Sequence, residues 1–204
     1  MGMIRQLQPF FYRCLKHSNI TLPGIRMCEL GNQSYELPDG KSITAKEFFT
    51  SNGVDHVSMD WNGKDGALKL DFNKPITHPG LENSFDMITN IGMTEHVENQ
   101  YECYKNIHKF CKVGGCFIHM VPIFYYWADK NNLYFYYPSF FRTLSIVQSY
   151  SLLIEDITPW GKNRNQDLLS VFMIKEKDIP FMDEKEFNSI PMRRVGTRIS
   201  IGGF

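Results

Sequence analysis

Residues 85–122 constrain this chain more than any other stretch, because they read as strand, polar loop, helix, Gly-Gly turn and strand without a break. Phe85, Met87, Ile88 and Ile91 form the short apolar run that a parallel strand covered on both faces requires. From Val97 onward Tyr101, Tyr104, Ile107, His108 and Cys111 recur at helical spacing. Gly114-Gly115 is read as the helix stop and Cys116 to Val121 as the next buried strand. Such a unit is half of an open α/β sheet, and these sheets bind ligands at the carboxyl ends of their strands. Asn90, Thr94, Glu95 and His96 cluster at that end.

The flanking sequence supplies the rest of the sheet. Ile4, Leu7, Phe10, Phe11, Cys14 and Leu15 make a helical stripe interrupted by Pro9, read as a short helix covering one end of the fold. Ile25 to Leu30 is the first strand, with Gly31 where the backbone turns. A polar loop runs to Asp39-Gly40, and a helix follows with Thr44 as its cap, Glu47 at the third helical position and Asn52-Gly53 closing it. Val54 to Met59 forms a second strand ending in Asp60, and Ala67 to Leu70 a third ending in Asp71. After an aromatic stretch and a helix from about Ser139 to Tyr150, Leu152 to Ile157 and Leu168 to Ile174 complete the strands. The basic cluster Arg193, Arg194 and Arg198 reads as a solvated tail.

Composition narrows the partners. The 204 residues suit one domain with small additions. Lys+Arg and Asp+Glu are 22 each, so no net charge steers a polyanion and a nucleic-acid partner is not favoured. Five cysteines without a Cys-x-x-Cys pair point to reduced structural thiols and a cytoplasmic protein, not a zinc site. Arg5, Arg13, Lys16 and His17 interrupt the N-terminal apolar residues, so neither signal peptide nor membrane anchor is expected.

The pattern "FDMITNIGMTEHV…YKNIHKFCKVGGCFIHMVP" resembles the fourth strand, loop, helix and fifth strand of class I S-adenosylmethionine (SAM) dependent methyltransferases. It is closest in style to the type 11/12-like branch with Glu-His after strand four, and Lys112-Val113-Gly114-Gly115 occupies the place of that branch's Lys-Pro-Gly-Gly. The resemblance covers roughly Arg26 to Lys177 and implies a Rossmann-like α/β fold. Its seven-stranded, mostly parallel sheet would have helices on both faces and an antiparallel seventh strand beside the fifth. It also divides the chain into an N-terminal helical cover (1–24), a SAM-binding methyltransferase domain (25–178) and a C-terminal tail (179–204).

The resemblance further implies a site. Asp60, closing the second strand, would accept hydrogen bonds from the ribose diol, with Trp61 beside it, or else cap its loop. Asp71 and the Phe72 backbone would face the adenine, unless Asp71 is a turn residue before Asn73. Where the family has a glycine-rich turn, this chain has Glu29-Leu30-Gly31-Asn32-Gln33, keeping only Glu29 and Gly31. The side-chain amides of Asn32 and Gln33 can bond the cofactor's carboxylate, and Asn90 belongs to the same cofactor-binding set. The missing glycines also argue against a nicotinamide dinucleotide site, which needs backbone amides on phosphates.

For chemistry, His96 is the candidate general base, or a ring that caps the next helix, and Glu95 would orient it. Gly92 replaces the first glutamate of the Glu-x-x-Glu-His pattern with which some relatives hold magnesium, so no metal is expected. Tyr125, Tyr126 and Trp127 would wall an acceptor pocket or pack as core and lid. No Asn/Asp-Pro-Pro-Tyr loop follows strand four, which disfavours methylation of nucleobase amino groups. The expectation is a SAM-dependent methyltransferase with a small-molecule oxygen or carboxylate acceptor, no membrane partner and an open oligomeric state. The rival readings are a catalytically silent SAM-fold subunit and a nicotinamide-dependent oxidoreductase.

Overall fold

A computed structural model describes residues 2–123, 131–160 and 167–195. In chain order the elements are α1 (Gln8–Ser18), β1 (Arg26–Leu30), β2 (Ser34–Glu36), β3 (Ser42–Thr44), α2 (Ala45–Ser51), β4 (Asp55–Asp60), β5 (Leu68–Lys69) and β6 (Phe85–Ile91). Then come α3 (Gln100–Phe110), β7 (Cys111–Pro122), β8 (Tyr134–Tyr136), α4 (Pro138–Val147), β9 (Tyr150–Thr158), β10 (Leu168–Lys175), α5 (Glu184–Asn188) and β11 (Met192–Arg194).

Seven strands form one sheet in the order β5-β4-β1-β6-β7-β10-β9. The pairs from β5 to β7 are parallel, and β10 runs antiparallel to both β7 and β9. This is the expected topology, with the antiparallel insertion at residues 168–175. The apolar runs work because strand side chains alternate between faces. Cys28, Ile88, Phe117 and Val171 pack with Tyr104 of α3, Phe140 of α4 and Phe187 of α5. Met27, Met87, Ile118 and Phe172 pack on the other face with Phe11 of α1 and Phe49 of α2. Helix α1 therefore lies on a sheet face and does not cover one end. Pro9 sits at its first turn, where the missing N–H goes unneeded, so it begins the helix and does not interrupt it.

The Thr44 capping box forms as read: its hydroxyl takes the Glu47 N–H at 3.0 Å and Glu47 returns to the Thr44 N–H at 2.8 Å. The Gly-Gly pair acts differently from its reading. Helix α3 stops at Phe110, and β7 begins at once with Cys111 opposite Phe85. The next pairing is Met87 with Cys116, so 112–115 bulge out between the two. Gly114 has φ +79°, and a Cβ on Gly115 would lie 2.9 Å from the Phe85 carbonyl oxygen, so both places require glycine. The carbonyls of His108 and Cys111 at the end of α3 are capped from a distance by the buried Lys175 ammonium, at 3.0 Å each.

Of the C-terminal tail (179–204), the described part up to residue 195 packs against the domain, while Arg194 of the basic cluster stays exposed and Arg198 lies outside the described residues. Met182, Phe187 and Ile190 are buried in the cluster on the α3 face, and β11 pairs with β8. Arg194 pairs with Glu98 at 2.7 Å. Among the described residues no helix is long and apolar enough to cross a membrane.

Candidate functional site

The loops after β1, β4, β5 and β6 meet over the carboxyl ends of those strands and enclose a cleft of about 630 Å3. Gly31, Asn32 and Gln33 form one side, Asp60 and Trp61 the next, Asp71, Phe72 and Asn73 the third, and Gly92, Met93 and His96 the fourth. Most of the residues expected to hold a cofactor thus come together here. Glu29 and Asn90 do not line the cleft.

Asp60 is the hinge between two loops. One carboxylate oxygen takes the Asn32 N–H at 2.9 Å and the other takes the Asn62 N–H at 2.9 Å. A carboxylate oxygen accepts more than one donor, so Asp60 clasps its loops and keeps capacity for a ligand's hydroxyls. The two sequence readings of this residue are compatible. Trp61 beside it is 78% exposed, an apolar surface with no cover of its own. Asp71 is exposed, and the side-chain and backbone hydrogen bonds from Asn73 hold its carboxyl below the usual carboxylate range. Phe72 turns its ring into the core against Phe110, so it lends the cleft its flank and backbone. Asn73, not singled out from sequence, accepts the N–H groups of Glu98 and Asn99 at 3.0 and 2.9 Å, fixing the β5 loop to the entry of α3.

Asn90 is spent on internal order. Its amide nitrogen reaches Thr94 Oγ1 at 2.9 Å and His119 Nδ1 at 3.1 Å, while its oxygen accepts the N–H groups of Met93 and Thr94. Those four bonds exhaust what one asparagine side chain can make. It builds the loop that carries His96 and has nothing left for a ligand. His119 is buried among aromatic rings, and burial pushes it down to about 3, a neutral core histidine.

Glu29 turns away from the cleft. Its carboxyl is buried, 3.4 Å from the Gln33 N–H and 3.7 Å from His56 Nε2. Burial raises it from 4.5 to about 8 and lowers His56 from 6.5 to about 4. At neutral pH the two are therefore a carboxylic acid beside a neutral imidazole, not an ion pair.

His96 lines the cleft with its side chain about one-third exposed. Nδ1 lies 3.1 Å from the Asn131 carbonyl, which can only accept. Nδ1 therefore carries the proton, and Nε2 is the basic nitrogen of the neutral ring. Glu95 is fully buried behind it, with Oε1 3.9 Å from Nε2, beyond hydrogen-bond length. Asn131 is 35 residues away from its histidine, and nothing in the local sequence connects them. Tyr125, Tyr126 and Trp127 lie outside the described residues. No group of three or more His, Cys, Asp or Glu able to hold a metal occurs among the described residues.

Comparison with known proteins bears on the fold. No family model matches the chain. Cycloartenol-C-24-methyltransferase of Arabidopsis thaliana is 34% identical over 88 residues, which make up 43% of this chain and 22% of that protein. Among solved structures, 1,6-didemethyltoxoflavin-N1-methyltransferase of Burkholderia thailandensis, with S-adenosylhomocysteine bound, has a TM-score of 0.60 at 14% identity, covering 85% of this chain and 79% of its own. The N-methyltransferase NodS of Bradyrhizobium japonicum, also with S-adenosylhomocysteine, gives 0.59 at 11% identity, covering 85% and 89%. A SAM-dependent methyltransferase of Mesorhizobium loti gives 0.58 at 12%, covering 81% and 97%. At these identities the likeness is one of fold.

Proposed function

We propose that this chain, which has the class I SAM-dependent methyltransferase fold, is itself a SAM-dependent methyltransferase acting on a small-molecule oxygen or carboxylate acceptor. The observation that carries the reading is the cleft over the parallel strand ends, with Asp60 and Asp71 on two of its sides and an imidazole of defined tautomer on another. The residues present fit the cofactor. Asp60 retains acceptor capacity for the ribose hydroxyls, Trp61 offers an uncovered ring for the adenine, and Gln33 contributes a buried amide oxygen without a donor. Bound there, SAM supplies a methyl group on a sulfonium and leaves as S-adenosylhomocysteine. The chain's own part is to orient the acceptor and, for a hydroxyl, to take its proton on His96 Nε2; a carboxylate has no proton to give up at neutral pH. Neutral net charge suits a small acceptor over a nucleic acid, and the free, buried cysteines suit the cytoplasm.

A second reading has its own observation. Gln33 fills the space over Gly31 within the turn that the resembling family makes glycine-rich, which is what a silent SAM-fold subunit would tolerate. Thermal unfolding with S-adenosylhomocysteine and NAD in parallel tests both readings. Ligand at about a hundred times its Kd contributes roughly 2.7 kcal/mol, or about 5–10 °C for a domain this size. S-adenosylhomocysteine should raise Tm and NAD should not. Stabilisation by NAD alone, or by neither, refutes the cofactor assignment, while binding without methyl incorporation in an acceptor screen supports the silent subunit.

A further inference from the structure

We propose that Gln33 is the receptor for the ammonium group of the bound cofactor, an inference that rests on the cofactor reading above. Gln33 is two residues beyond the Gly31 turn, lines the cleft, and is 5% exposed. Both ends of the residue are pinned. Its backbone N–H meets Glu29 Oε2 at 3.4 Å, and its carbonyl accepts the Ala45 N–H at 3.0 Å. Its side-chain nitrogen lies 3.3 Å from the Leu30 carbonyl and 3.2 Å from the Ile91 carbonyl, the last carbonyls of the adjacent strands β1 and β6. Two acceptors on one side fix which amide atom is nitrogen, so the oxygen must point elsewhere. That oxygen is buried and has no hydrogen-bond partner among the described residues.

A buried acceptor without a donor is costly, and folded proteins seldom leave one. Beside a ligand cleft it marks where a ligand donor belongs. The chemistry of the cofactor selects that donor. Its carboxylate only accepts and would be repelled by an amide oxygen, and its ribose hydroxyls fall to Asp60. The ammonium is a charged donor with three N–H bonds and no lone pair, the complement of Gln33 Oε1. Gly31 makes the arrangement possible, because a Cβ there would lie 2.5 Å from Gln33 Nε2. The chain thus replaces close backbone approach by glycines with one side-chain amide.

Isothermal titration of the whole protein with S-adenosylhomocysteine and with its des-amino analogue, S-adenosyl-4-thiobutyrate, tests the assignment. Wild type should favour S-adenosylhomocysteine by roughly tenfold or more, as expected for a hydrogen bond to a charged group. In Gln33→Leu and Gln33→Met, each first shown to be folded by its circular dichroism melt, that ratio should fall to about threefold or less through loss of S-adenosylhomocysteine affinity alone. A wild-type ratio near one overturns the proposal without any variant. An unchanged ratio in a folded variant overturns it too, and tighter binding by a variant would mean that the amide competes with the ligand for the two carbonyls. Wild type binding neither compound removes the cofactor reading itself, a result distinct from all of these.

Discussion

Replacing Glu29 with glutamine should stabilise this protein at alkaline pH and leave it nearly unchanged in mild acid. The carboxyl is 3% exposed, and burial raises it from 4.5 to about 8. A carboxyl raised in the folded state contributes stability that is fully present below pH 4.5 and is lost as pH rises towards 8, because the unfolded chain ionises first. At about 1.4 kcal/mol per tenfold, that loss is about 3 kcal/mol at pH 7 and approaches 5 kcal/mol above pH 8. Glutamine has nearly the same shape and never ionises. Its oxygen can keep the Gln33 N–H, and its nitrogen can donate to His56 Nε2, now 3.7 Å from the carboxyl. His56, lowered to about 4, destabilises both proteins alike as pH falls below 6.5, so it cancels in the difference. Urea unfolding followed by circular dichroism at pH 5 and pH 8.5 measures that difference by linear extrapolation. The two proteins should agree within about 1 kcal/mol at pH 5, and the variant should be ahead by about 3–5 kcal/mol at pH 8.5. A variant that is less stable at pH 8.5, or a gap that does not grow with pH, would show that Glu29 is ionised and compensated, and the reasoning would be refuted.

Asp60→Ala should weaken S-adenosylhomocysteine binding about tenfold to a hundredfold and also lower Tm by a few degrees, since Asn32 and Asn62 lose their N–H acceptor; calorimetric affinity equal to wild type would reduce Asp60 to a loop clasp. His96→Ala should hold cofactor affinity within a few-fold while cutting turnover of a hydroxyl acceptor about a hundredfold, read as methyl incorporation in single-turnover assays. Equal turnover would make His96 structural. Phe187→Ala should cost about 3–5 kcal/mol in urea unfolding, because that ring is buried against Tyr101, Tyr104, Phe140 and Phe181. A loss below about 1 kcal/mol would mean that the C-terminal segment is peripheral after all.

What the sequence determined by itself is whatever depends on a few neighbouring residues. The apolar run of residues 85–91, the Thr44–Glu47 capping box and the aspartate closing β4 are all written within single turns or strands, and each occurs where it was read, whereas Asp71 falls two residues past the end of β5. The strand order followed from the same local units through the family resemblance. The tertiary structure alone decided where the polar side chains go. Glu29 and Asn90 occupy strand ends that face a ligand site, yet one turns to His56, 27 residues on, and the other to His119, 29 residues on. The stop of α3 is a lysine 64 residues downstream of the last carbonyl it caps, and the tautomer of His96 depends on a carbonyl 35 residues away. Periodicity says which residues share a face, but a buried polar group takes whichever partner the packed neighbours bring within hydrogen-bond reach, and that partner is chosen by contacts far apart in the chain.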